Sequence, residues 1–200
     1  MNVLRAPLLV LLIAIALPCG AAVSDRLESC DPAVVRAAAE EIFRDPHTLS
    51  EPLTLYQAAM GLAVAGQDEQ AAVMYFTARL RSSRQMLFES GNRQSLLGVM
   101  EMMISPLVMP ALVADPELAR ELVRRVVDWD RSTPDPFRDS PAAKSAEIQR
   151  KIAEIDAAMA RLPDQIRDDP TRATKALEMA RVAKRQINSI VSNRCGARKR

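Results

Sequence analysis

Apolar side chains along most of this chain recur three and four residues apart, the period of helices that bury one face, and no window alternates apolar and polar residues between turn signals as a strand would. Asp31-Pro32 has the chemistry of a helix start: the carboxylate accepts from free amides, and the proline ring sits where an N–H would go unused. That helix is expected to run to about Arg44, where Asp45-Pro46 stops it. Ser50-Glu51-Pro52 opens a second helix carrying Leu55, Ala59 and Leu62 to Gly66, and Gln67-Asp68-Glu69 opens a third that runs on towards Leu87. From Asn92 to Ala114 the chain is apolar with many methionines, and Pro106 and Pro110 are expected to kink or break that stretch. Asp115-Pro116 starts the next helix, reaching about Trp129.

After a Pro- and Asp-rich loop near residues 128–141, Ile148, Ile152, Ile155, Met159 and Leu162 form a heptad seam. Asp169-Pro170 caps a last helix with Ala173, Leu177, Ala180, Ala183, Ile187, Ile190 and Val191 on one face. These two helices are expected to pair as an antiparallel hairpin. The expected fold is all-α: a single-domain bundle of about six to seven helices over residues 23–200. Its composition agrees, with seven aromatic residues and six glycines among 200, so that the good helix formers dominate.

The first 22 residues follow a different pattern. A short basic start, an apolar run from Leu8 to Leu17 and the small residues before Val23 read as a cleaved secretory signal, too short to span a bilayer as a permanent helix. Cleavage after Ala21 or Ala22 suits a signal peptidase. Cys19 offers a second route, cleavage before a cysteine that is then lipidated, but Pro18 next to the cut fits that route poorly. The chain is therefore expected in the periplasm or outside the cell, without a transmembrane anchor once the signal is removed. Cys30 and Cys195 remain, and an even pair in an exported protein argues for a disulfide between them.

Charge narrows the partners. Without Arg5 the 27 basic and 25 acidic residues of the full chain become 26 and 25, a balance that offers no global field for nucleic acid or an anionic membrane. Arg194, Arg198, Lys199 and Arg200 form a small basic end, read as solvated.

Candidate chemistry is sparse. His47 is the single histidine, with no Cys or carboxylate at metal-ligand spacing, so no metal or cofactor is expected. The common hydrolase, zinc and phosphate-loop motifs are missing, and the chain reads as non-catalytic. Glu40-Glu41 and Glu101 are the carboxylates an acid/base site would need, Glu101 in particular because its apolar neighbours would raise its pKa if it were buried. Arg79, Arg81 and Arg84 share one helix and read as a solvated face or as intramolecular ion pairs.

Leu55, Ala59, Leu62, Gly66, Ala71, Tyr75 and Ala78 fall close to the spacing of a tetratricopeptide-like or Sel1-like helical hairpin, which residues 52–85 resemble as a single copy. The resemblance implies close antiparallel packing and, further on, a peptide-holding surface. A small, exported, disulfide-stapled helical domain without a catalytic set is also similar in general character to periplasmic immunity-type proteins. That likeness implies a protein-binding domain that neutralises a secreted antibacterial effector. The alternative is a periplasmic scaffold or envelope assembly factor that uses the repeat-like hairpin. Aromatic anchors dominate protein interfaces, so the expected contacts are Trp129, Asp135 and Phe137 in the loop and an exposed face near Tyr56 and Tyr75; the other reading of the loop is a linker whose Trp129 and Phe137 plug the core.

Overall fold

A computed structural model describes residues 23–44, 51–89, 92–113, 115–166 and 170–197. The signal segment with Cys19, the turn that carries His47, and the last three residues lie outside the described residues. Among those described there are nine α-helices and no strand. The helices are α1 (Val23–Leu27), α2 (Pro32–Arg44), α3 (Pro52–Val64), α4 (Asp68–Gln85), α5 (Asn92–Val113), α6 (Pro116–Ser132), α7 (Ala146–Ala160), α8 (Leu162–Ile166) and α9 (Pro170–Ala197). The all-α expectation holds, and the larger helix number comes from the short α1 and α8, which are too brief to leave a periodic signature.

Local chemistry sets the helix starts. Asp31 accepts from the amide of Ala33 at 2.8 Å ahead of α2, and Asp115 accepts from the amide of Glu117 at 2.8 Å ahead of α6. Pro32, Pro52 and Pro116 each occupy the first helical position. Between α3 and α4 the chain reverses through Gly66, whose φ of 78° is the left-handed conformation that glycine adopts without a Cβ penalty. Small side chains then let these two helices lie against each other, with Ala58, Ala59, Ala71, Ala72 and Ala78 all fully buried. Gly61 serves the other side of α3: a Cβ there would stand 2.6 Å from Cγ1 of Val35, so α2 sits as close as a glycine permits.

The centre of the molecule is α4, which packs against α3, α5, α6 and α7 and is buried over nearly its whole circumference. Tyr75, Phe76 and Met74 fill one side and Leu80 another. The α5 helix continues through Pro106 and Pro110, where a kink or a break was expected, so no break occurs there. Each proline removes one hydrogen bond, and α3, α4, α6 and α9 packed around the helix hold it in place.

The expected hairpin of the last two long helices does not form. The α9 helix packs along α5, and α7 lies against α4 and α6. Ala183 and Ile187 are buried as the seam requires, but Leu177 and Ile190, assigned to the same face, are exposed. At the far end of α9, Cys195 is bonded to Cys30, with the Cα atoms 5.6 Å apart across a sequence separation of 165. The two ends of the domain are thus fastened together.

Candidate functional site

The loop expected to offer a contact surface instead turns inward on a buried charge cluster. Arg81 and Arg84 project from α4 with side chains almost entirely excluded from solvent. Unpaired, each would carry a desolvation cost of several kcal/mol, so carboxylates must reach them. Asp130, in the last turn of α6, meets both: Oδ1 accepts from Nε of Arg81 at 3.0 Å and Oδ2 from Nη1 of Arg84 at 2.8 Å. Asp135 adds a second carboxylate to Arg84 at 2.6 Å. Asp156 of α7 accepts from the Nη2 of Arg84 at 2.5 Å from the solvent side. Thr133 accepts from Nη2 of Arg81. Burial alone would lower the pKa of Arg84, and the facing carboxylates, Asp130 foremost, outweigh that and hold it above its ordinary value.

The loop is tied back on itself as well. Arg138 donates to the backbone carbonyls of Asp130 and Thr133, both at 2.9 Å, and pairs with Asp139. That hydrogen bond holds the Asp139 carboxyl below its usual range. Asp135 accepts from the amide of Phe137 at 2.9 Å, and Asp139 from the amide of Asp135 at 2.8 Å.

These contacts correct three of the five residues expected to bind a partner. Asp135 is fully buried because it neutralises Arg84. Tyr56 and Tyr75 are not on an exposed face: both rings are buried, their centroids 5.7 Å apart in the α3–α4 core, and burial pushes both phenols up in pKa. Trp129 is partly buried, its indole N–H donating to the carbonyl of Phe43 at 3.1 Å and its ring 5.1 Å from the Arg81 guanidinium. Phe137 is half-buried and stacks on Phe88 at 6.3 Å. Both rings thus make internal contacts while staying partly exposed. Arg81 and Arg84 form intramolecular ion pairs, one of the two readings the sequence allowed. Arg79 remains partly exposed and pairs with Glu101 at 3.1 Å, which puts Glu101 at the solvent edge of α5 and not in an apolar pocket.

Concavities open both beside this framework and away from it. One, of about 490 Å³, lies beside Arg84, Asp130, Arg138 and Asp156. Those four already pair with one another, and none of its lining side chains is a Ser, Thr, Cys or His that could act as a nucleophile. The other, about 180 Å³, is an apolar groove next to Cys30, lined by Leu27, Met60, Val64, Met103 and Val191; Glu101 does not line it. Among the described residues no cluster of three or more His, Cys, Asp or Glu could hold a metal ion. No described helix is long and apolar enough to cross a membrane.

What remains open on the surface is the outward side of α5. Leu97, Ile104 and Val108 face the core, while Leu96, Val99 and Met102, spaced three apart on the opposite side, are 45%, 44% and 70% exposed. Met86, just past α4, is a further exposed methionine, with the Gln94 side-chain amide 3.4 Å from its sulfur. Met100, Met103 and Met109 are partly buried against the core, and Met102 stands outside it, because α5 has more apolar side chains than its packed sides cover. An exposed stripe of flexible, polarisable side chains on a well-held helix can adapt to an apolar partner surface. The sequence signal for it was the apolar run itself, which has more apolar residues than one buried face can take.

No protein-family model, curated protein or solved structure matches this chain.

Proposed function

We propose that this chain is an exported, non-catalytic protein-binding domain, an immunity-type inhibitor that neutralises a secreted antibacterial effector. The observation that carries the binding part of this reading is the Leu96, Val99 and Met102 stripe on the outward side of α5. Leaving three large apolar side chains about half or more in water forgoes roughly 1 kcal/mol or more apiece relative to full burial, and exposed apolar side chains grouped on one helix side mark a contact surface. The supporting helix is immobilised by packing on four neighbours, so little ordering cost falls on the bound state. The Cys30–Cys195 bond and the signal-like first 22 residues favour an oxidising compartment such as the periplasm. The inhibitor assignment within the binding class rests on general character: size, staple and the lack of a catalytic set.

The test is affinity capture from the envelope of the native host, with a stringent wash and mass spectrometry of the retained proteins, followed by an assay of the dominant one alone and in complex. The reading expects one secreted enzyme whose activity is lost on binding. A spread of envelope proteins with no enzyme among them would assign the chain to scaffolding instead.

A further inference from the structure

Whole-chain charge conceals a segregation. Residues 170–200 contain nine Lys and Arg against the single acid Glu178, whereas residues 23–169 contain 17 basic and 24 acidic residues, a net of +8 against −7. Six of the nine lie in α9 and three beyond it. Ala176, Ala183 and Ile187 bury one face of that helix against α5. Positions 181, 182 and 185 fall roughly opposite on a helix of 3.6 residues per turn. There Lys175, Arg181, Lys184 and Arg185 are exposed, and among the described residues none of the four forms an ion pair. Many arginines elsewhere are matched, as Arg79, Arg120, Arg124 and Arg125 show, although Arg131 and Arg161 likewise form no ion pair among the described residues. Leu177 and Val182 are exposed on the outward half of α9, which also carries Glu178, while the exposed Met179 and Ile190 lie nearer the side that meets α5.

We propose that α9 is a docking face for an anionic phospholipid bilayer, on which the helix lies flat. Unpaired Lys and Arg supply attraction to phosphate headgroups, while the aliphatic side chains enter the headgroup–acyl boundary and the long cationic stems reach back to the surface. The acidic remainder of the domain is repelled by the same surface, which leaves α9 as the side that approaches. An acidic protein surface would satisfy the cations equally well. However, Leu177 and Val182 lie on opposite flanks of the exposed half of α9 with Arg181 and Arg185 between them, and do not gather into the apolar centre with a polar rim that a protein interface builds. A bilayer interface accepts the spread arrangement.

The proposal is tested by co-flotation of the protein, purified as the exporting host processes it, with vesicles of phosphatidylcholine alone or mixed with phosphatidylglycerol. The expected result is binding to the anionic vesicles only, weakening as salt shortens the reach of the charges. At about five-fold per cation, Arg181→Glu with Arg185→Glu should lower that binding at least ten-fold. The control Arg150→Glu on α7 should leave it unchanged, and far-ultraviolet circular dichroism should be the same for all three proteins. Equal binding to both vesicle types, no binding to either, or binding that survives the double charge reversal would overturn the proposal. If the double variant instead loses a captured protein while the unmodified chain never floats, α9 belongs to an acidic protein contact and the lipid proposal is likewise overturned. Failure here leaves the α5 stripe untouched, since none of its residues is altered.

Discussion

Arg84 carries more of this structure than any other single side chain, because it joins α4, the end of α6, the loop after α6 and α7 through Asp130, Asp135 and Asp156. Arg84→Met leaves Asp130 and Asp135 buried with half their compensation gone, and the expected loss is about 3 to 5 kcal/mol, read as the shift in urea-unfolding midpoint. Replacing Arg81, Arg84, Asp130 and Asp135 together by apolar residues of similar volume should recover most of it, since the cost lies in the unpaired charge and not in the missing attraction. This cluster was half-legible in the sequence. Arg81 and Arg84 three residues apart on a helix suggested ion pairs, but their partners lie 46 to 72 residues on, and no local spacing announces them. Tyr56 and Tyr75 were misplaced for a related reason: a helix buried all round, as α4 is, shows no one-sided apolar stripe, so its polar-tipped residues look like surface.

At the level of elements, the starts were readable and the pairings were not. Asp31-Pro32, Asp115-Pro116 and Gly66 act through neighbours a few residues away, so sequence alone located them. The seam of Ile152, Ile155 and Met159 and the face of Ala183 and Ile187 each announce that a helix side is covered. Periodicity does not say by what, and α7 and α9 went to different partners. The close approach of α2 and α3 gives a sharp test. Alanine is the better helix former, so Gly61→Ala by propensity alone should stabilise α3 by about 1 kcal/mol. The contact with Val35 at 2.6 Å argues the reverse, a net loss of about 1 to 3 kcal/mol from overpacking. Thermal unfolding of Gly61→Ala and of Gly61→Ala with Val35→Ala distinguishes them: the double variant should recover stability that the single one loses.

For the molecule as a whole, the bond between Cys30 and Cys195 closes nearly the entire domain into one loop. Cys195→Ser should destabilise it by up to about 5 kcal/mol on the chain-entropy account, seen as a lower unfolding midpoint that reducing agent reproduces in the parent protein and does not deepen in the variant. Net charge was the least informative whole-chain quantity, since the +1 of residues 23–200 hides the opposition of residues 170–200 and the rest. The central claim is that the exposed α5 stripe receives a protein partner, and one comparison addresses it most directly. Capture from native envelope extract is run in parallel with the parent protein and with Met102→Glu, a change at a position 70% exposed and therefore without consequence for the core. The account predicts a dominant retained protein with the parent and at least a ten-fold loss of it with the variant, the two baits having the same unfolding midpoint. The same protein retained equally by both would contradict it.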